Sequence, residues 1–222
     1  MVTLIYGKSG SGKSRSMKTL DPAETLLINV QRKPLPFKGK FPNTYIPKAT
    51  ESMSVSGNIQ WCIGKTLSKY PQTKVVVIDD AGYLMTQTFM AKHRQKSGSA
   101  SFELYNEIGD DFWQLVNYCN TLPETVNTYI MMHEETSDYG DVKLKTIGRL
   151  LDQKVALEGM VTVCLRCMTD GKKHWFQTQN SGNDISKSPE EMFAEDKIEN
   201  DLKAVDAAIR AYYGIGEQQK AS

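Results

Sequence analysis

Residues 7–14 read GKSGSGKS and follow directly on the apolar stretch VTLIY at residues 2–6. Glycines in this spacing let the backbone turn its amides inward around a phosphate, while Lys13 can reach terminal phosphates and Ser14 can bind Mg²⁺ at a helix start. A strand before the motif and a helix after it are the context that the motif needs. The stretch therefore predicts a phosphate-binding P-loop in an α/β fold. The predicted nucleotide-binding residues are Gly7, Lys8, Ser9, Gly10, Ser11, Gly12, Lys13, Ser14 and Arg15.

A second motif, VVVIDD at residues 75–80, ends an apolar run in two aspartates. Because such a run suits a buried parallel strand, we expect Asp79 at its carboxyl end, where it would help Ser14 to hold Mg²⁺. Asp80 is predicted to polarise the attacking water, and a solvated loop acid is the alternative. His133 ends a strand that we expect to neighbour the Asp79 strand, so it would sense the terminal phosphate. The residues with predicted catalytic roles at this point are Lys13, Asp80 and His133.

Length and charge limit what the rest of the chain can do. With 222 residues, 40% of them hydrophobic, the chain can bury one sizeable α/β core. Its 27 basic and 26 acidic residues give a net charge of +1, so a polyanion would have to bind at local patches. No apolar run approaches the roughly 18 residues of a membrane span, and four cysteines with three histidines fit a reducing compartment. We expect a cytosolic protein with no membrane partner.

Strands alternate with helices along the chain, which is the pattern of a mostly parallel sheet covered on both faces. The predicted strands are residues 2–6, 25–30, 75–78, 127–132 and 160–167. The predicted helices are residues 55–70, 102–122 and 196–213. Asp170 and Gly171 predict a hairpin turn, so the sheet should end in an antiparallel pair. We therefore predict one domain over residues 1–213 and a polar, flexible tail over residues 214–222.

Several motifs beyond the P-loop resemble one protein family. They are IDDAGYLM at residues 78–85, HE at 133–134, KLKTIGR at 143–149, LEGM at 157–160, FQTQN at 176–180, KSP at 187–189, MF at 192–193 and NDL at 200–202. Together with the P-loop, they resemble the phage-encoded AAA-type ATPases with a RecA-like core, some of which are single-strand annealing proteins of phage recombination. The resemblance covers nearly the whole chain. It implies a Mg²⁺- and ATP-dependent ATPase that binds single-stranded DNA and assists annealing as a ring or filament.

The resemblance also implies residue roles and partners. RecA-like cores usually carry a water-activating glutamate near the end of the strand after the P-loop helix, and here Gln31 falls at that position. An amide can orient water but cannot accept its proton, so either Asp80 serves or hydrolysis is slow. Such sites tend to lie between subunits, which makes Lys187 and Arg149 candidate cations supplied by a neighbouring copy. The expected partners are single-stranded DNA, further copies of the chain and a phage single-strand-binding protein, in the cytoplasm of an infected or lysogenic bacterial host.

Two segments are predicted to contact DNA, residues 86–101 and residues 134–146. Each follows a strand whose carboxyl end carries the nucleotide site, so nucleotide state could change its order. Their cations could neutralise a nucleic-acid backbone, and a tyrosine ring could stack on a base. The DNA-binding candidates are Lys92, Arg94, Lys96, Tyr139, Lys143 and Lys145.

Two alternative functions stay open at this point. A small-molecule kinase would need an acceptor pocket and often an arginine-rich lid, whereas the six arginines of this chain are widely scattered. A nucleotide-dependent switch that binds protein partners and barely hydrolyses is consistent with Gln31. DNA-stimulated ATPase activity would separate the annealing function from both alternatives.

Overall fold

The computed structural model describes residues 1–48, 53–95, 98–148 and 150–216. Within these residues the chain forms nine strands and four α-helices. The strands are β1 (Val2–Gly7), β2 (Thr25–Asn29), β3 (Asn43–Tyr45), β4 (Val75–Asp79), β5 (Asn127–Thr136), β6 (Val142–Leu144), β7 (Val163–Thr169), β8 (His174–Gln177) and β9 (Lys197–Glu199). The helices are α1 (Val55–Lys69), α2 (Gly82–Lys92), α3 (Ser99–Asn120) and α4 (Leu202–Tyr213).

The sheet is mostly parallel. Six strands run in the same direction in the order β3-β2-β4-β5-β1-β7, and β8 and β9 continue the sheet antiparallel to their neighbours. The short strand β6 pairs antiparallel with the end of β5. This is the α/β, RecA-like P-loop architecture that the sequence predicted, including the antiparallel hairpin near the carboxyl terminus. Because β5 lies between β1 and β4, the ends of the P-loop strand, the Asp79 strand and the His133 strand meet at one edge.

Two core layers cover the faces of the sheet. Side chains alternate across a strand, so Leu4 and Tyr6 pack in the layer formed with α1, α2 and α3. Ile5 points to the opposite face and packs in the layer formed with α4 and Met17. Every residue of β1 and of β4 is buried, which agrees with the apolar runs from which both strands were predicted. The site at the sheet edge therefore lies at the ends of strands that are buried along their whole length.

Three segments differ from the prediction. The helix after the P-loop is a short 3₁₀ helix, Ser14–Thr19, which ends where Leu20 adopts an extended conformation. The last helix begins at Leu202 rather than near residue 196, since residues 197–199 pair with β8 as strand β9. Residues 82–92 form α2, so much of the predicted cationic loop is helical.

The carboxyl-terminal stop was predicted correctly. Helix α4 ends at Gly214, whose φ of +63° places it in the left-handed region that favours glycine. The amide of Ile215 donates back to the carbonyl of Arg210 at 2.9 Å and closes the last turn. Most of the predicted tail, residues 217–222, lies outside the described residues. No helix in the described part of the chain is long and apolar enough to cross a membrane.

Candidate nucleotide-binding site

The P-loop, residues 7–14, leaves β1 at the carboxyl edge of the sheet. Gly10 and Gly12 have φ angles of +77° and +107°, a conformation that strains any residue with a Cβ atom. A Cβ atom at position 12 would also lie 2.7 Å from Nδ1 of His174. The backbone amides of Gly10, Gly12 and Lys13 donate to no acceptor within the described residues. Clustered, unpaired amides of this kind bind anions, so the loop fits a phosphate group.

The ammonium group of Lys13 lies against the loop. Its Nζ donates to the carbonyl oxygens of Gly7 at 2.8 Å and Lys8 at 2.9 Å. Burial lowers the pKa of Lys13 from its ordinary value, because the charged form has lost most of its water. Contact with an anion would therefore stabilise the charged form of this desolvated lysine and pair the free amides beside it. Lys13 is therefore placed to exchange carbonyl oxygens for phosphate oxygens.

A hydroxyl and a carboxylate meet beside Lys13. The Oγ of Ser14 donates to Oδ1 of Asp79 at 2.9 Å, across 65 residues of sequence. Burial and the neighbouring charge of Asp80 raise the pKa of Asp79 to about 6. Mg²⁺ is bound in phosphate-transfer sites by one or two protein oxygens together with substrate phosphates. A buried carboxylate next to a serine hydroxyl fits that requirement.

Asp80 lies between the side chains of a lysine and a histidine. Its Oδ2 accepts a hydrogen bond from Nζ of Lys33 at 2.8 Å, and its Oδ1 lies 3.4 Å from Nε2 of His133. Burial alone would raise the pKa of Asp80, but its contacts with His133 and Lys33 outweigh burial and hold the pKa at about 2. Tyr83 contacts the His133 ring edge-on with centroids 5.7 Å apart. Asp80 is thus an ion-paired carboxylate in this arrangement and a weak base.

These side chains share one cleft with a volume of about 440 Å³. The structure therefore brings six of the nine predicted P-loop residues together with Asp79, Asp80 and His133. A second cleft of about 680 Å³ adjoins the first, and Arg15 and His174 line both. One nitrogen of Arg15 donates to Oδ1 of Asn200 at 3.2 Å, which ties the P-loop to the segment between β9 and α4. The two clefts give the P-loop a long, continuous groove.

Other predicted residues lie away from this cleft. Gln31 is half-buried and is not among the described residues that line it. Lys187 pairs through its backbone with Cys164, with hydrogen bonds of 2.8 and 2.9 Å. This pairing is roughly 10 Å along β7 from Cys167, whose thiol donates to the P-loop carbonyl of Ser11. Arg149 lies outside the described residues. The role of either cation in a neighbouring copy stays a prediction.

The first group of DNA-binding candidates lies far from the phosphate cleft. Lys92 is at the end of α2 and forms an ion pair with Glu107 of α3. The length of α2 places it roughly 15 Å from Gly82, where the helix begins beside the site. Arg94 is exposed in the 3₁₀ helix that follows, and Lys96 lies outside the described residues. The prediction of an irregular loop over residues 86–101 was wrong, because α2 and α3 cover most of it.

The second group lies on a β-hairpin next to the site. Tyr139 is at the tip between β5 and β6, with 95% of its surface exposed. Nζ of Lys143 lies 3.2 Å from a carboxylate oxygen of Glu135. Lys145 is exposed, and its amide donates to the carbonyl oxygen of His133 at 2.8 Å. This hydrogen bond joins the hairpin directly to a residue of the phosphate cleft.

Two residues of the cleft were missed from the sequence. Lys33 lines the cleft and follows β2, near whose carboxyl end only Gln31 was predicted to have a catalytic role. His174 begins β8, and its Nδ1 lies 2.7 Å from the carbonyl oxygen of Ser11. A signal was present for both, because each lies next to a strand end at the edge that carries the P-loop. An antiparallel strand after β7 has to start at that edge.

Comparison with known proteins agrees with this geometry. The sequence matches a family model described as an AAA domain over residues 1–190, which is most of the chain. No curated protein matches the sequence. AAA domains are nucleotide-dependent ATPase modules, and the P-loop with its neighbouring Asp79 supplies the side chains that such a module requires. The chain belongs to a family of AAA-type P-loop ATPases.

Proposed function

We propose that this protein is a Mg²⁺-dependent ATPase that binds single-stranded DNA and assists strand annealing or recombination for a phage. One observation carries the ATPase assignment: the hydrogen bond between Ser14 and Asp79 lies in the same cleft as Lys13 and the unpaired P-loop amides. Hydroxyl, carboxylate, ammonium and amide groups are the protein groups that bind a magnesium nucleotide. The adjoining cleft beside Arg15 would take the nucleoside.

The chemistry follows from the positions of these groups. The P-loop amides and Lys13 would bind the phosphates, and Ser14 and Asp79 would hold the metal. When bound, Mg²⁺ would neutralise charge on the phosphate oxygens. Asp80 then orients the attacking water, with His133 at the far side of its carboxylate. Because Asp80 is ion-paired and weakly basic, we expect slow hydrolysis until its contacts change.

The same ion pairs favour a second candidate function. If the contacts of Asp80 with Lys33 and His133 persist after nucleotide binding, the protein would bind ATP and hydrolyse it only rarely. It would then act as a nucleotide-dependent switch for protein partners. Single-turnover hydrolysis at saturating protein separates the two functions, because the switch releases phosphate at the same low rate with and without DNA.

A nucleotide-binding experiment tests the ATPase assignment. Titrating a fluorescent ATP analogue with Mg²⁺ present should show binding by the wild type, and Lys13→Ala should lose most of it because the phosphates lose their buried cation. Lys65→Ala is the matched control, since Lys65 is exposed on α1 and outside both clefts. Equal affinity of Lys13→Ala and Lys65→Ala, measured on folded proteins, would contradict the assignment.

The DNA part of the proposal is supported by the β5–β6 hairpin. An exposed ring at Tyr139 and the cations Lys143 and Lys145 combine a stacking surface with charges that neutralise a phosphate backbone. The hydrogen bond from Lys145 to His133 gives the hairpin a direct connection to the terminal-phosphate side of the cleft. The cations at Lys92 and Arg94 lack such a connection. We therefore expect the hairpin to contribute more to coupling than the end of α2.

Binding to a labelled single strand across a salt series tests this part. Replacing Lys143 and Lys145 by alanine should weaken binding and lower the slope of log affinity against log salt by about 1.4, or about 0.7 for each lost phosphate contact. Tyr139→Ala should weaken binding with little change in slope. The double variant of Lys65 and Lys69, exposed on α1, removes the same charge and should change neither. If the wild type has no single-strand affinity at low salt in any nucleotide state, the DNA proposal fails.

A further inference from the structure

The loop after β2 places a second lysine in the phosphate cleft. Lys33 and Lys13 both line it, and the two lysines come from different strand ends. The Nζ of Lys33 contacts Oδ2 of Asp80 at 2.8 Å and lies 5.3 Å from the centre of the Tyr83 ring. Although 59% of the Lys33 side chain is exposed, its charged end is held between a carboxylate and an aromatic face. Lys33 therefore presents a cation to the cleft from the side opposite the β1 strand end.

The backbone around Lys33 is fixed in an unusual conformation. Arg32, directly before it, has a φ of +55°, and Asp80 has a φ of +60°. Left-handed backbone at residues other than glycine is costly and concentrates at functional sites. The side-chain amide of Asn29 donates to the carbonyl of Lys33 at 2.8 Å, and Gln87 donates to the carbonyl of Val30 at 3.2 Å. Both ends of the Lys33–Asp80 contact thus rest on strained backbone, and the two hydrogen bonds hold the Lys33 end in place.

The two lysines differ in what they contact. Lys13 contacts loop carbonyls, whereas Lys33 contacts the carboxylate that lies beyond Asp79, next to His133. A terminal phosphate carries charge on three oxygens, so a second cation beside Lys13 would strengthen its binding. The flexible four-carbon chain of a lysine lets its ammonium move between neighbouring anions without a change in backbone.

We propose that Lys33 is a second phosphate-binding cation, supplied by the same chain, that moves from Asp80 to the terminal phosphate of ATP. This inference rests on the proposed ATPase function and adds a residue that distinguishes ATP from ADP. A nucleotide without the third phosphate leaves Lys33 on Asp80. With ATP, Oδ2 of Asp80 loses its partner and can accept a hydrogen bond from the attacking water. ATP binding itself would then prepare the carboxylate for its role.

The ratio of ATP to ADP affinity tests the proposal. Lys33→Met keeps the length of the side chain and removes its charge, so ATP affinity should fall about 10- to 100-fold, the value of a hydrogen bond to a charged group. ADP affinity should change little, and Lys33→Arg should retain most of the preference for ATP. Lys38→Met is the control, because Lys38 is exposed in the same loop and does not line the phosphate cleft. Equal ATP-to-ADP ratios for Lys33→Met and Lys38→Met would overturn the proposal.

A double variant separates phosphate binding from simple neutralisation of Asp80. If Lys33 only neutralises that carboxylate, Lys33→Met should have no effect on the ratio in an Asp80→Asn background. The proposal requires a loss of ATP preference in the Asp80→Asn background that is at least as large as the loss in the wild-type background. Thermal unfolding of each variant shows whether it is folded before affinities are compared. Failure of the proposed function gives a different result, since a wild type that binds neither ATP nor ADP would show no ratio to change.

Discussion

Asp79→Asn and Asp80→Asn should change the free energy of unfolding in opposite directions. Asp79 is only 8% exposed, and burial with the charge of Asp80 raises its pKa to about 6. From the ordinary value of 3.8, that rise corresponds to a cost of about 3 kcal/mol for keeping the carboxylate ionised in the folded protein at pH 8. Asp80 has a pKa of about 2 despite its burial, because of His133 and Lys33. Its ionised form stabilises the fold by about 2 kcal/mol on the same basis.

The two contributions also have different pH windows. A carboxyl group whose pKa is raised by folding favours the folded state below its unfolded pKa, and this advantage is lost as the pH rises through the folded value of about 6. A carboxyl group whose pKa is lowered stabilises above its unfolded pKa, and that contribution is lost as the pH falls towards about 2. Substitution of either aspartate should therefore have its full effect at pH 8.

Urea and thermal unfolding without Mg²⁺ would measure both effects. At pH 8, Asp79→Asn should be more stable than the wild type by about 3 kcal/mol, because the amide still accepts the Ser14 hydrogen bond without a buried charge. A chain of this size gains about 2 to 4 °C in melting temperature for each kcal/mol. Asp80→Asn should be less stable by about 2 kcal/mol. Asp138→Asn, at an exposed position, controls for the change in net charge.

The stability of Asp79→Asn near pH 4 and its response to Mg²⁺ test the same reasoning. Near pH 4 the advantage of Asp79→Asn should disappear, since the wild-type carboxyl group is then protonated in the folded protein. Added Mg²⁺ should stabilise the wild type and leave Asp79→Asn almost unchanged, because the variant lacks the carboxylate ligand. If Asp79→Asn is no more stable than the wild type at pH 8 without Mg²⁺, the reasoning from burial is refuted.

Three other predictions concern an ion pair, a P-loop glycine and the assembly of the chain. Arg166→Met should lower the free energy of unfolding in urea by about 3–5 kcal/mol, because the Glu134 carboxylate loses both hydrogen bonds of its ion pair, at 2.8 and 2.9 Å. Only 3% of the Glu134 side chain is exposed, so its charge would be left buried and unpaired. Adding Glu134→Gln should recover most of that loss. Gly12→Ala should abolish nucleotide binding, since the new Cβ atom would lie 2.7 Å from His174, whereas Gly182→Ala has a similar φ of +108° with open space around it and should only reduce stability. Sedimentation should detect self-association that increases with ATP and DNA, and a monomer under every condition would exclude a ring or filament.

The parts of the site that were predictable from sequence are those fixed by local rules. Glycine spacing determined the P-loop, and an apolar run ending in aspartate determined both the strand β4 and the position of Asp79 at its end. His133 was placed correctly because parallel strands bring their carboxyl ends to one edge, and its strand β5 does lie next to β4. In each case a short sequence pattern predicted the local backbone, and the parallel sheet brought the strand ends together at one edge.

The missed parts depend on contacts between distant segments. Strand β9 has three residues and exists because it pairs with the edge of β8, so its own pattern is too short to predict it. Lys33 reaches the cleft through a left-handed residue at Arg32, which no propensity rule favours. Helix α2 buries Leu84 and Met85 and spreads its other apolar side chains around the axis, so it lacks the one-sided pattern that indicates a surface helix.

The position of Lys33 bears on whether the cation at the terminal phosphate comes from the same chain or from a neighbouring copy. The expectation that a neighbouring copy supplies a cation came from the resemblance to RecA-like ATPases, whose sites tend to lie between subunits. In our proposal Lys33 supplies that cation from within the chain, while Lys187 lies beside Cys164, towards the amino end of β7. A site completed within one chain should keep its preference for ATP at protein concentrations where only monomer is present. A site completed by a neighbour should lose that preference on dilution. If dilution removes the preference and Lys33→Met does not, the completing cation comes from another copy and Lys33 serves only to hold Asp80.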